Sequence, residues 1–328
     1  MEQATADRQE MSGRTVVLHT NEYWHAPIRD GRIDFFDKLF KLLVHKGVAI
    51  RLVSLGGTAS DVLLGQDHLN IIVGDKNRAG RNLLYAAPTY IWGFWYLDPK
   101  GVNWTSSIRR AAFDPGQVDL ERAEYFFNGV SGYMLRENVS RAPQPPRADP
   151  PLEPAAAVIF CQDIQALDDP PHFLNTADII RTTADAVHGI VYVKPHPNQS
   201  RGELRRIEAA VTACPNAQIS VASVHDLVGA ARVVVTQNSA AGFEALMQRK
   251  PVITCARSDF WHATLTPRTA ADLAEAVRFG PAAMADFAYE KYFWWFLEGH
   301  CLEPQKEDFD ARVWARIRDR LAVQVLAG

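Results

Sequence analysis

Cysteine is scarce and scattered: Cys161, Cys214, Cys255 and Cys301 are the only four, and no two form a C-x-x-C pair. That spacing excludes a zinc ribbon or a redox dithiol. Three of the four lie in or beside apolar strands or helices, so free buried thiols are expected, as in a reducing cytoplasm. Long apolar runs are also missing. None approaches the roughly 18 residues a membrane span needs, and the opening MEQATADRQEMSGR has no apolar export core. The chain is expected to be cytoplasmic and neither exported nor membrane-spanning. A formal net charge of −3 gives no field that would gather nucleic acid. Glycine forms no G-x-G-x-x-G at a strand–helix turn, and the Gly56-Gly57 pair is too sparse for a dinucleotide fingerprint, so no cofactor role is assigned to it.

What is present is ordinary for a globular enzyme, with 47 % hydrophobic and 22 % charged residues, and 328 residues suggest two domains. The most informative stretch runs from Gly189 to Ala256. Two apolar strands end in polar clusters, Lys194-Pro195-His196-Pro197 and Gln237-Asn238-Ser239, and a helix follows each. In an open parallel sheet the loops after the strands share one edge, so these clusters converge on one crevice. A helix starting near Ser239 and Ala240 presents unbonded N–H groups that suit a phosphate, and Ser239 is a good N-cap. Glu244, a little over one turn in, is placed to accept hydrogen bonds from ribose hydroxyls. Each residue also has a plain alternative: a structural histidine, a simple helix cap, a solvated helical acid.

Strands are expected at Thr15–His19, Ala49–Leu55 and His68–Gly74, with a helix over Ile33–Lys46 that Gly47 closes. An aromatic segment follows, with Trp92, Trp95 and Trp104 interrupted by Gly93, Pro99 and Gly101; it reads as a loop facing a substrate cleft. Asp119 to Glu137 reads as a helix ending the first half. Prolines 143, 145, 146, 150, 151 and 154 then forbid helix and favour an extended linker. The expected division is 1–140 as an acceptor-side domain, 141–155 as linker, 156–280 as a nucleotide-binding domain and 281–328 as helices packing back toward the N-terminal domain. The fold class is α/β and GT-B-like, with two Rossmann-like domains facing a cleft and a C-terminal helical return. In the last helix Arg312, Arg316, Arg318 and Arg320 make a basic face. Its interspersed acids favour a solvated surface, with peripheral contact at the inner membrane as the alternative.

The two signature stretches resemble a known family. K-P-H-P in Lys194–Pro197 and Q-N-S-A-A-G-F-E-A-L in Gln237–Leu246 are similar to the H-P and Q-x-S-x-x-G-x-E-A-L motifs of bacterial capsule polysaccharide biosynthesis proteins, retaining β-Kdo transferases that use CMP-Kdo. A strand ending in Gln162 with Asp168–Asp169 after it, the S-D-F-W-H-A-T-L-T of Ser258–Thr266 and the terminal FWWFLEGHCLEP extend the resemblance to about half of the chain. It implies that His196 contacts the CMP phosphate and helps the nucleotide leave. Ser239 and its neighbouring amides would hold that phosphate, Glu244 would bind the ribose, Gln237 would support the loop and Lys194 would add positive charge. A preorganised donor set of this kind stabilises a developing phosphate dianion. No metal is needed, no Asp-x-Asp sits at a suitable strand end, and no cofactor is expected beyond the CMP-sugar donor. The partners implied are a nucleotide-sugar donor and a glycan or glycolipid acceptor.

The first half departs from the family pattern. The family's acidic residue before a G-F/Y-x-R segment is missing from Ile91-Trp92-Gly93-Phe94-Trp95-Tyr96-Leu97-Asp98. Asp98 is the nearest carboxylate for the nucleophile of a double displacement, and Asp30, Asp34 and Asp75 compete with it. Two other functions stay open: a CDP-glycerol-type polyol-phosphate transferase, and a non-catalytic nucleotide- or sugar-binding GT-B-like protein.

Overall fold

Five of the six residues of β1 (Thr15–Thr20) are buried, and the computed structural model describes the chain from there over residues 15–74 and 78–322. An apolar run buried on both faces suits a central parallel strand. β1 accordingly lies between β2 (Ala49–Ser54) and β3 (Leu69–Val73), parallel to both. β4 (Leu83–Pro88) continues the sheet in parallel, and β5 (Trp95–Asp98) closes it antiparallel, giving the order β2-β1-β3-β4-β5. The helices on this sheet are α1 (Glu22–Arg29), α2 (Asp34–His45) and α3 (Thr58–Leu64). α2 buries Phe35, Phe36, Leu39, Leu42 and Leu43 at helical spacing.

The aromatic segment is therefore not the cleft-facing loop that its glycines and proline suggest. Its middle is β5, and all four of that strand's residues are buried. A short strand buried on both faces carries no alternation to read. Trp95, expected in a substrate cleft, stacks on Phe35 with ring centroids 4.8 Å apart, inside the apolar core.

The chain divides into two compact units. The first comprises residues up to Thr89, Gly93–Ile108 and those from Leu297 on; the second comprises Tyr90–Trp92 and Arg109–Phe296. The expected boundary at the proline tract is corrected by this division. α4 (Leu120–Arg136), capped by Asp119 accepting from the Arg122 N–H, belongs to the second unit. It packs there against a later helix, with Phe127 edge-on to Phe293 at 5.3 Å. The prolines mark an extended path within the unit, because composition reports stiffness and not where the packing changes. The terminal helical region is likewise split, at Leu297 rather than at Pro281.

In the second unit β6 (Ala155–Phe160), β7 (Val191–Lys194), β8 (Ala217–Ile219), β9 (Ala231–Thr236) and β10 (Val252–Thr254) are all parallel, in the order β10-β9-β6-β7-β8. Around them lie α5 (Thr176–Ala186), α6 (Arg201–Thr212), α7 (Val224–Ala230), α8 (Ala240–Ala245) and α9 (Ala270–Ala283), with α10 (Tyr289–Trp294) against α4. The strand order reverses between β6 and β9. In such sheets that reversal opens a crevice at the carboxyl edge, where ligands bind.

The last helix, α11 (Phe309–Ala322), sends Phe309, Val313, Trp314, Ile317 and Leu321 into the first unit's core. Its basic face is not simply solvated. Arg312 donates to the carbonyls of Glu298 and Cys301, and Arg316 donates to those of Leu97 at 3.2 Å and His300 at 2.7 Å. Among the described residues no helix is long and apolar enough to cross a membrane. All four cysteines are free and buried, and burial pushes the Cys161 and Cys255 thiols up to about 12.

Candidate functional site

The loops at the carboxyl edge of the second sheet are stitched together by side chains. After β7, Gln199 accepts a hydrogen bond from the His196 N–H at 3.2 Å and donates to the Gln162 carbonyl at 3.3 Å. Gln162, just past β6, accepts from the Asn238 N–H at 2.7 Å. Asn238, just past β9, donates to the Arg257 carbonyl at 2.8 Å. The two clusters singled out in the sequence thus meet through Gln162 at the β6–β9 reversal. They form one hydrogen-bonded rim rather than one direct contact.

His196 is exposed at this rim, and its Nδ1 accepts from the Asn198 N–H at 3.2 Å. With Nδ1 an acceptor, the neutral ring carries its hydrogen on Nε2, ready to donate outward. Desolvation lowers the imidazole's pKa, and the charge of Asp163 partly opposes this. Burial thus favours the neutral ring, which offers its Nε2–H as a hydrogen-bond donor. Pro197, next to it, fixes one backbone dihedral of the loop.

Lys194 does not lend its charge to the loop as the resemblance implies. Its ammonium donates to the carbonyls of Val221 at 3.1 Å and Ala222 at 2.7 Å, and partial burial lowers its pKa. Gln237 is buried and donates to the Leu174 carbonyl at 3.0 Å, which anchors the loop from beneath. Ser239 caps α8 by accepting from the Ala241 N–H at 3.3 Å, and its hydroxyl hydrogen stays available. The Ala240 N–H sits in the first turn, where an α-helix has no internal acceptor to offer. The glycine of the motif has a packing reason: a Cβ on Gly242 would stand 2.9 Å from Thr236 Cγ2, so only glycine lets α8 lie this close to β9.

Glu244 is corrected most sharply. Expected to face the crevice and take ribose hydroxyls, it is 1 % exposed. One carboxylate oxygen accepts from Ser140 Oγ at 2.9 Å and the Arg141 N–H at 3.2 Å, while the other is buried without a partner. Periodicity placed the residue on the right helix but could not show that the 140–141 segment covers it. Burial raises its pKa from 4.5 to about 7, and the two hydrogen bonds oppose the shift. Because the folded value lies above the unfolded one, the stabilising effect of the neutral acid is whole below about pH 4.5 and is lost as pH rises through about 7. The shift corresponds to roughly 3 kcal/mol. Glu244→Gln is thus expected to raise stability by about 2–3 kcal/mol at pH 8 and to leave it nearly unchanged at pH 4.5. Urea unfolding at both pH values reads this, and an equal effect at the two would remove the buried-acid explanation.

In the first unit Asp98 is 6 % exposed and surrounded by donors. Its carboxylate accepts from the N–H groups of Lys100 at 2.7 Å, Gly101 at 3.1 Å and Ser107 at 3.0 Å, and from Ser107 Oγ at 2.5 Å. Gly101 is required in that turn, since its φ is +156° and a Cβ would collide with Thr105. Register adds a second argument. Asp98 pairs with Tyr85, near the start of β4, so antiparallel β5 places it at the amino edge of the parallel strands, away from the edge where ligands gather. Asp98 is thus held as the anchor of the turn after β5. Trp92 is 69 % exposed in the turn between β4 and β5. Trp104 follows the far end of β5 in a 3-10 turn, so the three tryptophans do not line one wall. Asp30 pairs with Arg29 and Arg32 on the surface, Asp34 accepts from Gln305 at 2.9 Å, and Asp75 lies outside the described residues.

A buried trio escaped the sequence reading. His19 contacts Ser60 Oγ at 2.8 Å through Nδ1 and Asn70 Oδ1 at 2.9 Å through Nε2. The amide oxygen can only accept, so Nε2 carries the hydrogen and Nδ1 accepts from the serine. All three are fully buried, which makes the trio a structural tie between β1, α3 and β3 and not a nucleophile.

Residues 175–289 match the family described as capsule polysaccharide biosynthesis protein. The matched segment holds the K-P-H-P loop, α8 and the loop after β10, but neither Gln162 nor the first unit. Among curated proteins none matches the chain. Similar solved structures include the beta Kdo 2,7 transferase KpsC of Thermosulfurimonas dismutans, at 16 % identity, with 80 % of this chain and 90 % of that chain covered and a TM-score of 0.49. The beta Kdo 2,4 transferase KpsC of the same organism stands at 15 % identity with the same coverage and TM-score 0.49. The wall teichoic acid polymerase TagF stands at 9 % identity, with 98 % and 92 % covered and a TM-score of 0.31.

Proposed function

We propose that this chain is a glycosyltransferase that takes a CMP-linked acid sugar, Kdo or a relative, and transfers it to a glycan or glycolipid acceptor in surface polysaccharide assembly. The observation that carries the reading is the rim at the β6–β9 reversal, where Gln162 ties the His196 loop to the Asn238–Ser239 loop. Such a rim faces a nucleotide phosphate with the His196 Nε2–H, the Ser239 hydroxyl and the Ala240 N–H. As the bond from anomeric carbon to phosphate oxygen breaks, charge grows on the phosphate and these donors stabilise it. CMP leaves, the acceptor oxygen bonds the anomeric carbon, and the proton of the acceptor hydroxyl passes to the departing phosphate. The retaining course implied by the resemblance takes a carboxylate at the anomeric carbon.

Thermal shifts of the full chain with CMP, CDP, UDP and ADP test the nucleotide. CMP is expected to raise the midpoint most, since a ligand at 100 times its Kd adds about 2.7 kcal/mol to the folded state. A larger shift with UDP or ADP would sink the cytidine reading, and a preference for CDP would favour polyol-phosphate transfer.

A further inference from the structure

The groups that the rim turns toward a phosphate, the His196 Nε2–H, the Ser239 hydroxyl and the Ala240 N–H, all donate hydrogen bonds. A ribose has the opposite need, because its 2′ and 3′ hydroxyls bring hydrogens of their own. In nucleotide-binding sheets a carboxylate at the same edge takes them. Glu244 is not placed to do so, since it is 1 % exposed beneath Ser140 and Arg141.

Asp163 is. It follows β6 at the reversal of strand order, next to Gln162, and is half-buried. Its Oδ2 accepts from the Ser200 N–H at 2.8 Å, while its Oδ1 has no hydrogen-bond partner among the described residues. Gln162 meanwhile takes the Asn238 N–H on its side chain and the Gln199 amide on its carbonyl. Two consecutive residues thus hold both loops of the rim, and the second carries an uncommitted oxygen. Asp163 is also near enough to His196 for its charge to act on the ring. Only C5′ and O5′ separate a ribose ring from its phosphate, so a nucleotide whose phosphate meets His196 brings its diol to this neighbourhood.

Other acids close by are committed or apart. Glu203 accepts from Gln165 at 3.0 Å and pairs with Arg206 at 3.1 Å, and Asp169 pairs with Arg257. Asp168 is exposed and makes no hydrogen bond to either loop among the described residues. A carboxylate beside a phosphate needs its repulsion offset, and Asp163 lies against the N-terminal end of α6, where Ser200 is the cap and the helix carries partial positive charge.

We infer that Asp163 recognises the ribose diol, its Oδ1 accepting from a 2′ or 3′ hydroxyl, and that it makes the site select ribonucleotides over deoxyribonucleotides. The inference rests on the nucleotide reading of the rim, but on neither the base nor the transferred sugar.

Equilibrium binding of CMP and 2′,3′-dideoxy-CMP to the full chain, by calorimetry, tests it. The unaltered chain is expected to bind CMP about tenfold more tightly, the effect of one hydrogen bond to a charged acceptor. In Asp163→Ala the ratio is expected to fall to within about twofold through weaker CMP binding alone, with the dideoxy affinity unchanged. Asp163→Asn keeps an oxygen for the Ser200 N–H, guards against collapse of the loop and is expected to show the same loss. Glu244→Gln is expected to keep the full ratio. A ratio near one in the unaltered chain, an unchanged ratio in both Asp163 variants, or a ratio lost in Glu244→Gln instead overturns the assignment even where CMP binds well. Equal weakening of both nucleotides in the Asp163 variants would show a structural role only and overturns it too. If UMP or AMP binds more tightly than CMP, the cytidine reading falls, and the ribo-to-dideoxy ratio of that nucleotide decides Asp163 by the same criterion. A chain that binds none of the three overturns the inference together with the nucleotide reading.

Discussion

Replacing Asp98 by alanine is expected to destabilise the first unit by about 3–5 kcal/mol. The carboxylate gathers the N–H groups of Lys100, Gly101 and Ser107 and the Ser107 hydroxyl, and in the variant these buried donors lose their common acceptor. Hydrogen bonds to a charged group contribute roughly 1.5–3 kcal/mol each, though not additively, so the range is a cautious sum. Urea unfolding, followed alongside transfer activity, separates anchor from nucleophile. A variant that unfolds at the wild-type midpoint yet fails to transfer would return Asp98 to the chemistry.

His196→Ala is expected to lower transfer by about 10²–10³-fold, the usual cost of one donor aimed at developing charge. Its side chain is exposed and makes one backbone contact, with the Asn198 N–H, so the melting temperature should move little. Full activity in the variant would show that the phosphate is held elsewhere. His196→Asn or His196→Gln, which keep an N–H donor but cannot titrate, should retain part of the rate, because the ring acts here while neutral.

Much of the second unit was legible because parallel strands buried on both faces read as apolar runs and each ends in polar residues that cannot continue them. Val191–Lys194 into K-P-H-P and Ala231–Thr236 into Q-N-S are the plainest cases. What the sequence hid was which of those polar groups stay available. Lys194 and Glu244 look alike as candidates on paper, yet one is consumed by two carbonyls and the other lies beneath Ser140, through contacts 27 and 104 residues away along the chain. The first unit was read less well. Four residues of β5 give no period, and its aromatic content suggested a sugar platform where the fold needed a core. Asp163 was invisible for a related reason. Nothing local marks it, and it joins the rim through the N–H of Ser200, 37 residues further along the chain.

The first unit draws on both ends of the described chain, with β1 near the start and α11 near the finish. During synthesis its sheet emerges early, but the apolar face that receives Phe309, Val313, Trp314, Ile317 and Leu321 has nothing to cover it until the whole second unit has been made. A newly made chain therefore carries an exposed hydrophobic sheet for most of its time on the ribosome, and a second unit that folds quickly shortens that interval. Neither unit is a continuous segment that could be excised and expressed alone, and loss of α11 would act as a defect of the N-terminal sheet whose core it completes.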